Sequence, residues 1–149
     1  MKKQLSKKDI EEINHQIGFD CISKKDDVKL LDDKFVLVNN SVMFFYYDGK
    51  IAPTLKLLQQ NNYLKKITVD MGAVKFVIKG ADIMRPGITE IEDSIKKEEI
   101  ISIIDANNKK PLAIGIALFS AEELKQMSSG RVIKNIHFVG DDIWKMQII

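Results

Sequence analysis

An α+β first half followed by a mostly β second half, closing into a small barrel, is the fold class this sequence predicts. Three observations carry it. Ile10, Ile13 and Ile17 repeat at helical spacing behind Ser6. Between Val28 and Tyr47 the chain breaks into three short extended runs separated by Asp, Asn and Gly. From Ala73 onward, apolar runs of strand length alternate with glycine and proline corners, and helical patterns are brief.

The first helix is expected over Ser6–Ile17. Ser6 caps it, Asp9 sits in the first turn where a carboxylate is favourable, and Gly18 ends it. Strands are expected at Val28–Leu31, Phe35–Asn39 and Val42–Tyr47, with a tight hairpin at Asn39-Asn40-Ser41 and a turn at Asp48-Gly49. Pro53 is placed as the first residue of a helix over Pro53–Gln60. Ile67 and Val69 mark a short strand, and the boundary is set after Asp70, giving domains 1–70 and 71–149. No Gly/Ser-rich or Pro-rich linker separates them.

In the second half, Ala73–Lys79 reads as a strand with Val74, Phe76 and Ile78 on one face and Lys75, Val77 and Lys79 on the other. A Gly80–Gly87 loop follows, then a short helix at Thr89–Ser94. Glu99–Asp105 and Leu112–Phe119 read as paired strands, the latter with Ala113, Gly115 and Ala117 as a row of small residues that lets another backbone come close. Ser120-Ala121-Glu122-Glu123 is a capping box that starts a helix ending near Met127. Arg131–Val139 and Ile143–Ile149 complete the strands.

Composition narrows the function classes. The chain has 149 residues, 45% apolar and 30% charged, with a formal charge of +2. Residues 71–149 carry equal numbers of cations and anions. A polyanion-binding surface must therefore be a local patch. The single Cys21 forms no internal disulfide, which agrees with a reducing cytoplasm and excludes a Cys-rich zinc site. No apolar run approaches the roughly 20 residues of a membrane span. His15 and His137 stand alone, without metal-ligand spacing, and His137 reads as a structural residue. The carboxylate pairs Asp26-Asp27, Asp32-Asp33, Glu98-Glu99 and Asp141-Asp142 fall at turns or element ends, where they stay solvated. Trp144 reads as core. No catalytic residue, metal or cofactor is expected.

The segment Lys75–Ile88, KFVIKGADIMRPGI, resembles the first strand and glycine loop of a PUA domain, the RNA-binding module named after pseudouridine synthase and archaeosine transglycosylase. GKIAPTLKLL (Gly49–Leu58), VDMGAVKFVIKGADIMRPGIT (Val69–Thr89) and IHFVGDDIWKM (Ile136–Met146) are similar to the malignant T-cell amplified sequence family. That family joins a dedicated N-terminal domain to a PUA domain and has archaeal relatives. The similarity covers about residues 30–149.

The resemblance implies a PUA-type pseudo-barrel after an α+β domain, and a non-catalytic RNA-binding protein linked to tRNA or the small ribosomal subunit in translation initiation or recycling. It also implies a translation-factor partner engaged through the first domain. The matched positions make Lys75, Lys79, Gly80, Ala81, Arg85, Pro86, Gly87, Arg131 and Lys134 the expected RNA surface. A glycine loop offers backbone N–H groups to phosphate, and Arg85 offers a planar cation. Ile83 and Met84 read as packing residues. The competing readings are a protein-interaction adaptor and a targeting subunit for an RNA-modifying enzyme.

Overall fold

The structure is a computed structural model and describes residues 1–146. The described chain forms two compact units, Met1–Thr54 with Met146, and Leu55–Lys145.

In the first unit, β1 (Lys2–Gln4) precedes α1 (Lys7–Ile17), and β2 (Val28–Leu31), β3 (Phe35–Val38), β4 (Ser41–Tyr47) and β5 (Lys50–Pro53) follow. The strands pair antiparallel in chain order. Helix α1 starts on a reciprocal cap. Asp9 N–H donates to Ser6 Oγ at 3.1 Å and Ser6 N–H donates to Asp9 Oδ2 at 2.9 Å. The Ser6 N–H and the Ser6 hydroxyl, both donating to Asp9 Oδ2, hold the Asp9 carboxyl below its ordinary pKa. The three hairpin turns place Asp32-Asp33, Asn39-Asn40 and Asp48-Gly49 at positive φ, the geometry that matches strand twist. The buried Asn14 holds the loop after α1, exchanging hydrogen bonds of 2.8 and 2.9 Å with the Ile22 backbone. Burial pushes the Cys21 thiol up, which suits a packing residue rather than a nucleophile.

The second unit runs α2 (Leu55–Gln60), β6 (Lys66–Val69), α3 (Met71–Val77), β7 (Ile83–Met84), β8 (Ile88–Ile91), β9 (Ile100–Asp105), β10 (Pro111–Ala117), α4 (Ala121–Gln126), β11 (Arg131–Phe138) and α5 (Asp142–Lys145). Its sheet has the order β7-β11-β10-β9-β6-β8. β6 lies parallel to β9 and the other pairs are antiparallel. The two edge strands, β7 and β8, are joined by the single 3₁₀ turn Arg85–Gly87. The sheet thereby curls into a nearly closed barrel around Ile67, Val69, Ile101, Ile103, Ala113, Leu124 and Ile133.

Five sequence expectations change. Ala73–Lys79 is not a strand: α3 occupies Met71–Val77, because Asp70 Oδ1 accepts from Ala73 N–H at 2.8 Å and caps a helix. Thr89–Ser94 is not helical, since Ile88–Ile91 pairs with β6 as β8. Pro53 ends β5, and α2 starts at Leu55. The last segment is helical at Asp142–Lys145, capped by Asp141 Oδ1 accepting from Trp144 N–H at 2.8 Å; the rest of the expected strand, residues 147–149, lies outside the described residues. β6, expected to close the first domain, is an inner strand of the second unit's sheet.

Gly115 makes the barrel's central crossing. A Cβ there would sit 2.5 Å from Ile133 Cγ2 and 3.0 Å from both Ile103 Cδ1 and the Lys134 carbonyl oxygen. β9 and β11 therefore close on β10 only because that position lacks a side chain. His137 is fully buried beside it. Leu55 N–H donates to His137 Nε2 at 3.1 Å, so Nε2 is unprotonated and Nδ1 carries the proton toward Asp141 Oδ2 at 2.8 Å.

Gly115→Val should destabilise the protein by at least about 1–3 kcal/mol, the cost of overpacking a filled core. A melting temperature within error of wild type contradicts this. The His137 prediction concerns pH. Burial lowers its pKa from the ordinary 6.5, against the opposing pull of Asp141. The unfolded chain then binds the proton more readily than the folded one. This stabilisation is complete above about pH 6.5 and is lost as pH falls below it. Denaturant unfolding from pH 7.5 down to 5 should show the decline, and His137→Gln should flatten it.

Candidate nucleic-acid interface

Of the expected RNA residues, Ala81, Pro86 and Gly87 line one open groove of about 630 Å³ between α3 and the β7 turn, while Lys75, Lys79, Gly80, Arg85, Arg131 and Lys134 are not among its lining residues. Gly72, Ala73 and Phe76 form its α3 wall, Met84, Pro86 and Gly87 the opposite wall, and Ala81 and Asp82 one end. The lining is mostly apolar. Phe76 is 57% exposed and Met84 51% exposed, unusual values for such side chains. Lys75 Nζ lies 5.3 Å from the Phe76 ring centroid. The geometry offers a flat aromatic face with a cation beside it, suited to a stacked planar group near a negative charge.

The glycine loop has a different role from the expected one. Lys79 N–H and Ala81 N–H both donate to the Phe76 carbonyl at 3.1 Å, and Gly80 N–H donates to the Val77 carbonyl at 3.0 Å. Those N–H groups cap the end of α3 and do not point at a ligand. Gly80 has φ +93°, and a Cβ there would meet the Phe138 ring at 2.9 Å. Gly87 is not among the positive-φ residues. Its constraint is contact: a Cβ there would lie 3.2 Å from Ala73 Cβ, while its carbonyl accepts from Asp70 N–H at 2.9 Å.

The cations separate into two groups. Lys75 and Lys79 are exposed, at the end of α3 and just beyond it, and not on a strand face. Arg85, expected as a surface cation, is turned inward: Nε donates to the Leu124 carbonyl at 2.6 Å and Nη1 to the Ile88 carbonyl at 3.3 Å. It ties the 3₁₀ turn to α4 and β8. Pro86, the second residue of that turn, brings its φ already set. Arg131 Nη1 donates to Asp82 Oδ2 at 2.8 Å. Lys134 is half-buried on β11 opposite Ile116. Burial raises the Asp82 pKa, but the Asn135 N–H and the Arg131 and Lys134 charges outweigh it and hold the carboxyl below its ordinary value.

Sequence reading did not point to Phe76, Met84 and Asp82 as groove residues, nor to Asn135 as their neighbour's anchor. The alternating pattern puts Phe76 on one strand face with Val74 and Ile78, and Met84 reads with Ile83 as packing; Ile83 alone of that pair is buried. The available signal was Asp70, whose cap turns the segment into a helix and Phe76 outward. Among the described residues no three His, Cys, Asp or Glu side chains converge as metal ligands.

The sequence pattern of the PUA domain matches residues 65–139, the stretch that carries this groove. Translation machinery-associated protein 20 of Schizosaccharomyces pombe is 34% identical over 125 residues, 79% of this chain and 69% of its own length. Malignant T-cell-amplified sequence 1 of Rattus norvegicus is 34% identical over 133 residues, 83% of this chain and 73% of its own. The chain belongs to this family of PUA-domain proteins. An uncharacterized protein of Methanocaldococcus jannaschii is 40% identical over 153 residues, 96% of this chain and 94% of that protein. Among solved structures, a hypothetical protein of Pyrococcus horikoshii superposes with a TM-score of 0.86 at 33% identity, covering 97% of this chain and 98% of that one. The PUA-domain protein of Thermoplasma acidophilum follows the same fold, with a TM-score of 0.80 at 28% identity over 97% of this chain and 98% of its own.

The inward Arg85 generates a test on single residues. Arg85→Ala leaves the Leu124 carbonyl without its charged donor and should cost about 1–3 kcal/mol of stability. An exposed arginine, as the sequence alone suggested, would cost less than about 0.5 kcal/mol. Gly80→Val should destabilise more than Gly87→Val, because it meets both positive φ and the Phe138 ring. Melting curves of the three variants check both statements.

Proposed function

We propose that this protein binds RNA through the groove between α3 and β7 and acts in translation, at tRNA or the small ribosomal subunit, in initiation or recycling, without catalysing a reaction. The observation that carries the reading is the exposed Phe76 beside Lys75 on an apolar groove inside the PUA-matched region. An aromatic face takes an unstacked base, and adjacent lysines take the phosphates on either side. The name of the Schizosaccharomyces pombe relative supports the translation setting. A translation-factor partner on the first unit and a cytoplasmic location belong to the same proposal.

A protein-interaction adaptor is the second reading. What favours it is that Met71, Phe76, Ile78 and Met84 are all exposed on one stretch of chain. Ultraviolet crosslinking followed by sequencing of the bound RNA separates tRNA, ribosomal RNA and no RNA in one experiment. Enrichment of either RNA supports the proposal. A background-level yield favours the adaptor.

RNA affinity should fall with salt, with a slope set by a few phosphates. Changing Lys75 and Lys79 together to Ala should reduce that slope by about two. Phe76→Ala should weaken binding by about 1–3 kcal/mol with little change in slope. Salt titrations of the variants against wild type check this, and a salt-independent affinity contradicts it.

A further inference from the structure

Asn135 on β11 reaches across to the segment joining α3 to β7. Its Nδ2 donates to two carbonyls, Val77 at 3.1 Å and Ala81 at 3.0 Å. Its backbone N–H donates to Asp82 Oδ1 at 2.9 Å, and Arg131 Nη1 on the same strand donates to Asp82 Oδ2 at 2.8 Å. The amide can face only this way. Exchanging Nδ2 with Oδ1 would set an oxygen against two carbonyl oxygens, none of which donates. Phe138, also near the end of β11, packs on Gly80 in the same segment.

These contacts divide the segment into two parts. Lys79, Gly80 and Ala81 bond back through their N–H groups to α3 itself. Val77, Ala81 and Asp82 are held by β11, and all three also line the groove. One Asn135 side chain thus grips both the end of the α3 wall and the start of the β7 side.

We propose that Asn135, acting with Asp82, is a positioning residue of the RNA site: it sets the separation of α3 from β7, and so the width of the groove, without touching RNA. The proposal rests on RNA occupying the groove. Arg131, expected from sequence as an RNA contact, becomes through Asp82 a member of the same clamp. Neither Asp82 nor Asn135 carries a charge that RNA would select, since the Asp82 carboxylate would repel phosphate if it were not already held by Arg131 and the Asn135 N–H.

The test measures binding of total tRNA and of purified small-subunit ribosomal RNA to wild type, Phe76→Ala, Asn135→Ala and their double variant, well below each melting midpoint. Amide hydrogen exchange is followed in parallel. The expected result is at least a fivefold loss of affinity in Asn135→Ala. Exchange should be faster at residues 78–83 while β9 and β10 stay protected. The double variant should lose no more than the product expected from independent sites, and measurably less. A merely structural role would lower the melting midpoint and leave affinity unchanged below it. Wild-type affinity in Asn135→Ala, with Phe76→Ala impaired, overturns the positioning role and leaves the RNA reading standing. Strict additivity makes Asn135 a direct contact and overturns it too. Wild-type affinity in both single variants, or no binding of either RNA by wild type, removes the RNA reading and the proposal with it. If Asn135→Ala does not fold, Asp82→Ala, which releases the same segment from the other side, carries the same expected and contrary outcomes.

Discussion

The second unit is organised around β11, and β11 sits where it does because Gly115 has no side chain. That vacancy lets the Ile133 methyl, the Ile103 side chain and the Lys134 carbonyl all approach one point of β10. Once β11 is seated, its residues reach outward in several directions. Ile133 and Arg131 pair with β7. Asn135 holds the segment after α3. His137 accepts from the first N–H of α2 and donates to Asp141, which in turn caps α5. A single strand therefore carries the closure of the barrel, the end of the groove and the placement of two helices.

The groove differs in kind from a phosphate-binding glycine loop. Its loop N–H groups are consumed in ending α3, and its best-placed arginine is consumed in tying the 3₁₀ turn to α4. What is left facing outward is an aromatic ring, a methionine and two lysines. Such a surface gains free energy by covering apolar area, with charge adding orientation and salt dependence. It fits a nucleic acid whose bases are available for stacking better than a duplex presented by its backbone.

Much of the fold was legible because many of its signals are local. Ser6 and Asp9 cap each other, Ser120 and Glu123 do the same, and Asn39-Asn40 adopts the left-handed pair its side chains tolerate. In each case the deciding interaction lies within a few residues. α3 was misread because a seven-residue apolar pattern serves two periods: Val74, Phe76 and Ile78 alternate, while Val74 and Val77 are one helical turn apart. The tie was broken by Asp70, which reads equally as the end of a strand. His137 was legible as a structural residue, but the distant partners of Arg85, Asn135 and His137 were not, because they lie 39, 58 and 82 residues away. Spacing along the chain holds no trace of such pairs.

The most direct measurement is the identity of the peptides that carry crosslinked nucleotides when the full chain is irradiated with bound RNA and analysed by mass spectrometry. Adducts on the peptides containing Phe76, Lys79 or Met84 are the predicted result. Adducts confined to residues 1–54, or none above background while the RNA remains bound, would contradict the assignment of the groove as the RNA surface.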